Sequence, residues 1–215
     1  MKTPLVGRMV RRIIDETMDA FLNIRTIPRS EDLRSSDAFK QGHPTITGIG
    51  TVNYLNLWRI QHLVQPTQDD VIFDMGSGTG RVVCWFGRMR VRQVVGIEVI
   101  PSCADISEEN AKRLRGRRSP IEIIKGDFLE ADLSLVTIMF LFNPCDENTF
   151  RQLYMRIKDS LQKHPRRLVI YYHKPVHHRV LDEDMWLSSE HKMFGEYTGM
   201  LYQPAAEKNV RQSRT

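Results

Sequence analysis

The stretch Val71-Ile-Phe-Asp-Met-Gly-Ser-Gly-Thr-Gly-Arg81 decides how this chain folds. Val71 to Asp74 is a short apolar run that reads as a buried strand, and the five residues Gly76, Ser77, Gly78, Thr79 and Gly80 form the turn that ends it. From Arg81 to Met89 the period changes to that of a helix, with Val82, Val83, Trp85, Phe86 and Met89 as its apolar positions. Strand, glycine turn and helix in that order bring backbone close to a bound ligand, because glycine accepts dihedral angles that other residues avoid.

The spacing narrows the ligand. A dinucleotide fingerprint, Gly-x-Gly-x-x-Gly, would need glycine at position 81, where this chain has Arg81; its third glycine comes one residue earlier, at Gly80. An acid, Asp74, stands two places before the first glycine. The pattern Asp-x-Gly-x-Gly-x-Gly resembles the first motif of the class I S-adenosylmethionine (SAM) dependent methyltransferases. SAM has no pyrophosphate for a helix N-terminus to hold, but its ammonium group needs an oxygen acceptor, a role that suits Asp74. The resemblance implies that Asp74, Gly76, Ser77, Gly78, Gly80 and Arg81 surround the methionine end of SAM.

Three further strand ends extend it. Gln93 to Ile97 reads as a second buried strand ending at Glu98, about two dozen residues after Asp74, where a carboxylate matches the paired ribose hydroxyls. Ile121 to Lys125 is the third strand, and the resemblance implies that the following Asp127 and Phe128 meet the adenine. Val136 to Phe142 is apolar throughout, as a central parallel strand is, and runs into Asn143-Pro-Cys-Asp146. That junction resembles the Asn-Pro-Pro-Tyr motif of amino-methylating enzymes. It lies closer to a poorly defined group, including lysine-directed enzymes, with Asn-Pro-Phe at this place. The resemblance spans residues 15 to 203 and implies that Asn143 orients the acceptor and touches the cofactor. Asp146, His43 and His173 are the candidates for the base.

Composition agrees with an ordinary folded protein. The chain has 215 residues, 41% hydrophobic and 27% charged, so one domain with a modest extension is expected. Cys84, Cys103 and Cys145 are scattered and odd in number, which fits a reduced, cytoplasmic setting. No apolar run is long enough to span a bilayer, and the N-terminus has no signal-peptide pattern. A net charge of +5 permits an acidic partner without arguing for one, and Cys145 and Asp146 depart from the adenine-methylating motif, so a nucleic-acid acceptor is not expected.

Residues 3 to 24 have the pattern of an amphipathic helix, with Leu5, Met9 and Ile13 on one row and Val6, Val10, Ile14, Met18 and Leu22 on the next, a single apolar stripe with Arg8, Arg11, Arg12 and Asp15 mostly opposite. Such a helix either lies on a membrane surface or, the commoner outcome, packs on the domain or covers the active site. Thr51 to Leu63 reads as a second helix, with Tyr54 and the Gly48–Gly50 bend as candidate walls of the site. Arg113 to Arg118 reads as a helix cap and loop, and Glu147 to Gln162 as a helix ended by Pro165. Residues 193–197 and 200–203, joined by Thr198-Gly199, form a hairpin signal. His177, His178 and His191 lack partners at zinc-ligand spacing, so no metal is expected.

The expected fold is therefore α/β: a Rossmann-like, doubly wound, mostly parallel seven-stranded sheet with a C-terminal antiparallel hairpin and an N-terminal helical extension. The extension or lid would occupy residues 1–50, the SAM-binding domain 51–205, and a tail 206–215. The expected function is methyl transfer from SAM, leaving S-adenosylhomocysteine, to nitrogen or oxygen of a small molecule or a protein side chain. The alternative is a non-catalytic SAM-binding or partner module of the same fold.

Overall fold

The structure is a computed structural model that describes residues 5–27, 50–183, 186–194 and 197–204. Its centre is a seven-stranded sheet: β1 (Val71–Met75), β2 (Gln93–Glu98), β3 (Ile121–Lys125), β4 (Ile138–Phe142), β5 (Val169–His173), β6 (Leu187–Phe194) and β7 (Tyr197–Pro204). The strand order is β3-β2-β1-β4-β5-β7-β6. The first five strands pair in parallel; β7 runs antiparallel to β5, and β6 antiparallel to β7. The expected doubly wound sheet with its closing hairpin is present, but the hairpin turns earlier than expected: β7 already begins at Tyr197, so Thr198 and Gly199 pair with Met193 and Lys192 inside the ladder instead of joining the two strands.

Helices α1 (Leu5–Leu22), α2 (Tyr54–Val64), α3 (Arg81–Gly87), α4 (Pro101–Arg113), α5 (Glu147–Lys163) and the one-turn α6 (Arg179–Asp182) complete the described elements. The short α6 has no clear sequence signal. All five residues of β1 and of β5 are buried, as parallel strands covered on both faces must be. Two apolar clusters sandwich the sheet. On one face α5 places Phe150, Leu153, Ile157 and Leu161 against Met139, Leu141 and Ile170. On the other, Leu57 and Ile60 of α2 and Val83 and Phe86 of α3 meet Ile72, Phe140 and Tyr171.

Element ends follow local chemistry. Asn53 caps α2 by accepting from the Asn56 amide, and Asp146 caps α5 by accepting from the Thr149 amide. The helix α3 ends at Gly87, two residues before the expected Met89, and Met89 instead donates its amide to the Phe86 carbonyl in a turn. The basic run after α4 is used structurally: Arg115 donates to the Phe21 carbonyl and Arg117 to that of Ala111. At β2, Gly96 is required by packing, because a Cβ there would lie 2.7 Å from Val83 Cγ2 and 2.9 Å from Ser77 Oγ.

The N-terminal helix does not sit as its pattern predicts. Its apolar stripe divides: Met9, 61% exposed, and Ile13, 56% exposed, face outward with Val10 and Ile14, while Met18 and Leu22 of the same stripe pack on the domain. Contact with the domain is made where Asp15, Asp19, Met18 and Leu22 meet Arg81, Tyr54 and the second apolar cluster. The physical reason is Arg81. A guanidinium with only 1% of its side chain exposed requires carboxylates within reach, and α1 supplies them.

Gly80 caps α3 in the left-handed region at φ +85°, and a Cβ there would lie 2.3 Å from Ser107 Oγ. Gly80→Ala is therefore expected to destabilise the fold by about 2–4 kcal/mol through backbone strain plus overpacking. Urea unfolding followed by circular dichroism will measure it; a change below about 0.5 kcal/mol would mean that the turn relaxes freely.

Candidate functional site

Every strand-end residue singled out from the sequence lies at the same edge of the sheet, the carboxyl ends of β1 to β4. Strand order reverses between β1 and β4, and the crevice there is where open α/β sheets bind ligands. A cleft opens at that point. Asp74, Gly76 and Gly78 line it from the glycine turn, Thr26 and Val52 from the N-terminal segment, and Phe142 from the end of β4.

The turn is built inward. Gly76 and Ser77 both donate their amides to the Ile97 carbonyl at 2.9 Å, Gly78 donates to Glu98 Oε2 at 2.7 Å, and Gly80 donates to the Ser77 carbonyl. Four amides of the turn are thus already occupied. A pyrophosphate, which needs free amides, is poorly served here. What the turn offers instead is space and acceptors. Gly78, at φ +54°, has nothing within 4 Å of where a Cβ would stand, so a ligand can lie against its backbone. Ser77 Oγ is buried with no hydrogen-bond partner among the described residues.

Two carboxylates stand beside it. Asp74 is 3% exposed, and burial together with the neighbouring Glu98 pushes its pKa up to about 8. A cationic ligand would relieve that cost, as the ammonium of SAM does chemically. Glu98 is also buried, and burial raises its pKa while backbone amides oppose the rise. Its Oε2 accepts from Gly78 and its Oε1 from the Ile100 amide at 2.8 Å. A carboxylate has about four lone-pair positions, so these amides leave acceptor capacity for a hydroxyl-bearing ligand. These residues fit SAM.

The other sequence candidates divide. Asp127 is exposed at the end of β3 and accepts from the Leu129 amide at 2.8 Å; Phe128 is half-buried against the core cluster. Neither belongs to the walls of the cleft. Arg81 borders the cleft, but its guanidinium reaches Asp15 Oδ2 at 2.9 Å, donates to Thr26 Oγ1 at 2.6 Å and lies 4.8 Å from the centre of the Tyr54 ring. It holds the N-terminal segment, a different task from the ligand contact expected of it. Tyr54 is likewise a buried member of that network, its hydroxyl donating to Asp19.

Asn143 takes a left-handed conformation, φ +44°, and its Oδ1 accepts from the Tyr172 hydroxyl at 3.4 Å. Pro144 packs directly on the glycine turn, its Cβ 3.4 Å from where a Cβ of Gly76 would be. The Asn-Pro junction is therefore adjacent to the glycine turn. Asp146 serves the fold: the Thr149 amide holds its pKa below the usual carboxylate value. His173 is 1% exposed, shares a hydrogen bond with Tyr171 at 3.0 Å, and burial draws its pKa down to about 4. His43 and Gly48 lie outside the described residues. Among the described residues no group of His, Cys, Asp and Glu is arranged to hold a metal, and His178 instead pairs with Asp182 at 2.7 Å. Sequence reasoning missed Thr26 and Val52, which line the cleft from places with no motif around them, and Phe142, which lines it just before the Asn-Pro junction.

Asp74 provides a test in the protein alone. Its folded pKa lies above its unfolded value, so between pH 4 and 8 the folded state binds the extra proton and stability falls as pH rises. The slope is up to about 1.4 kcal/mol per pH unit. Asp74→Asn should remove this dependence, raising the unfolding midpoint at pH 8 but hardly at pH 4. Parallel pH–stability curves for the two proteins would overturn the assignment.

Comparison with known proteins agrees with this geometry. Among solved structures, an RNA methyltransferase from Salinibacter ruber bound to S-adenosyl-L-homocysteine is 22% identical, with 72% of this chain and 94% of that one covered at a TM-score of 0.57. An O-methyltransferase from Bacillus cereus, also with S-adenosylhomocysteine, is 17% identical over 89% and 96% of the two chains at 0.55. These share the fold, and with an RNA enzyme among them the expectation against nucleic acid is not borne out. A curated protein-lysine N-methyltransferase from Saccharolobus islandicus (strain REY15A) is 30% identical over 87 residues, 39% of this chain. The match covers 52% of that relative, so the chain spans about half its length. The family described as histone methylation protein DOT1 matches residues 24–139, more than half of the chain and inclusive of the glycine turn, Glu98 and Asp127. The chain therefore belongs to the histone methylation protein DOT1 family, within the class I SAM-dependent methyltransferase superfamily.

Proposed function

We propose that this protein transfers a methyl group from SAM to the side-chain amine of a protein lysine. The observation that carries the reading is the pairing of a cation-seeking carboxylate, Asp74, with an aromatic and apolar acceptor end at the same cleft. Bound there, SAM would supply a methyl group on a sulfonium for in-line displacement by a nitrogen lone pair. The lysine-directed relative and the family's histone-directed description favour nitrogen over oxygen.

The roles follow from the residues. Asp74 accepts from the ammonium, Ser77 Oγ gains the partner it lacks, and Gly76, Gly78 and Gly80 let the ligand approach the turn. Glu98 accepts from the ribose hydroxyls with the acceptor capacity its backbone amides leave. Asp127 faces the adenine edge with Phe128 behind it. Asn143, fixed by Tyr172 and by the packing of Pro144, orients the acceptor nitrogen.

No strong base is at hand among the described residues, and none is needed. Asp146 caps a helix with a lowered pKa, and the pKa of His173 is drawn far down by burial. Phe142 and Val52 instead form an apolar wall that disfavours the charged ammonium, so the amine loses its proton to water before it reacts. Positioning and desolvation then carry the rate.

Isothermal titration with S-adenosylhomocysteine, followed by transfer from labelled SAM to lysine-rich peptides, tests the reading. Binding with label on lysine is the expected result. Binding without transfer to any acceptor would favour the non-catalytic module, and label on RNA instead would move the acceptor class. Glu98→Ala should weaken S-adenosylhomocysteine binding at least about tenfold, since it removes the ribose acceptor and loosens Gly78 together. Unchanged affinity would place the ribose elsewhere.

A further inference from the structure

Two neighbouring loops enter the sheet at the edge opposite the cleft. Residues 88–92 lead from α3 into β2, and residues 114–120 lead from α4 into β3, both at the amino ends of strands. They are fastened together. The Arg118 and Ser119 amides donate to the Gly87 carbonyl at 2.9 and 3.1 Å, and Ser119 Oγ accepts from the Val91 amide at 2.9 Å. Between them the loops carry Arg88, Arg90, Arg92, Arg115, Arg117 and Arg118, with no acid from Phe86 to Gln93 or from Ala111 to Pro120. Arg88 is half-buried and the other five are exposed. The net charge of the whole chain, +5, is no larger than the charge of these arginines.

The guanidiniums lack the partners that a purely structural role would give them. None of the six lies within ion-pair distance of a carboxylate among the described residues. Neighbouring acids are engaged elsewhere, Asp70 with Arg167 at 2.6 Å and Glu122 with Gln93 at 2.8 Å. Arg115 and Arg117 each give one Nη1 to a carbonyl, which leaves their charge uncompensated and most of their five donors unused. Arg88 is the extreme case. Its Nε is buried with no hydrogen-bond partner among the described residues, and it lies against the second loop, 3.5 Å from where a Cβ of Gly116 would stand. A guanidinium placed so is costly until an anion completes it. The buried Arg81, by contrast, has Asp15 at 2.9 Å.

We propose that these two loops form a docking surface for the phosphate backbone of a nucleic-acid duplex. Guanidinium is a planar fork that matches a pair of phosphate oxygens, and six of them spread over two loops suit a repeated phosphate better than one small anion. A lipid surface fits less well, because neither loop carries any of the large apolar side chains that stand exposed. A single strand fits less well too, since neither loop has an aromatic residue for bases to stack on. β2 is six residues long, so this surface and the cleft lie about 20 Å apart, at opposite strand ends. The duplex is a platform that holds the protein, separate from the group that receives the methyl.

Fluorescence anisotropy of the full chain with a labelled DNA duplex of about 20 base pairs tests this. Affinity should fall at least about thirtyfold between about 50 and 200 mM salt, as the release of three or more counterions requires. Arg90→Gln/Arg92→Gln/Arg118→Gln should weaken binding at least about tenfold at low salt and reduce the slope of log affinity against log salt by about 2–3. Unfolding midpoint and S-adenosylhomocysteine affinity should not change. Arg88→Gln alone should weaken binding at least about threefold without lowering the unfolding midpoint. Arg151→Gln/Lys158→Gln/Lys163→Gln, which removes the same charge from α5, should have less than about a threefold effect. No binding at low salt, an unchanged slope in the arginine variant, or an equal loss in the α5 variant would overturn the proposal. So would tighter binding of a single strand, or of vesicles with about one-third phosphatidylserine, than of the duplex.

Discussion

A single buried guanidinium organises the N-terminal half of this protein. Arg81 follows the glycine turn directly, with only 1% of its side chain exposed, and a charge so placed is tolerated only if it is paired and hydrogen-bonded. Asp15 and Asp19 from α1, Thr26, the Val52 carbonyl and the Tyr54 ring supply that environment. Residues distant in the chain are thereby fastened to the residue that opens α3. Thr79 and Asn110 strengthen the connection, Thr79 by donating to the Thr26 carbonyl and Asn110 by bridging the Arg25 and Thr79 carbonyls. The segment that walls the cleft is thus tied to the turn that forms its floor.

The same clamp explains an inversion. Amphipathic helices ordinarily turn their apolar stripe to the core, because burying apolar area is the larger gain. Here the demand of the buried charge prevails locally, since an Arg81 left unpaired would be costlier than several exposed aliphatic side chains. The carboxylates go in with Met18 and Leu22, and Met9, Val10, Ile13 and Ile14 go out. Packing within the domain and availability of the helix face are two results of one electrostatic constraint.

Much was legible from the chain because it depends on local spacing. The glycine turn after Val71–Asp74, the strand ending at Glu98 and the apolar β4 all rest on period and turn chemistry, and their pattern implied both sheet and superfamily. Boundaries moved by a few residues where caps decide them: α2 begins at Tyr54 because Asn53 caps it. The cleft walls Thr26 and Val52 were not legible, since no motif marks a residue brought in by a distant contact.

What the sequence determined by itself was the order of elements, the parallel sheet with its hairpin, and the carboxylates that end β1 and β2. These follow from short-range preferences and from burial on both faces of the sheet. Tertiary structure alone decided the tasks of particular side chains. Arg81, next to the glycines and at the border of the cleft, gave its guanidinium to holding α1; Asp146 became a cap; His173 was buried beside Tyr171. A side chain's task depends on which charges and donors the fold brings within a few ångströms, and that neighbourhood is not written in the adjacent residues.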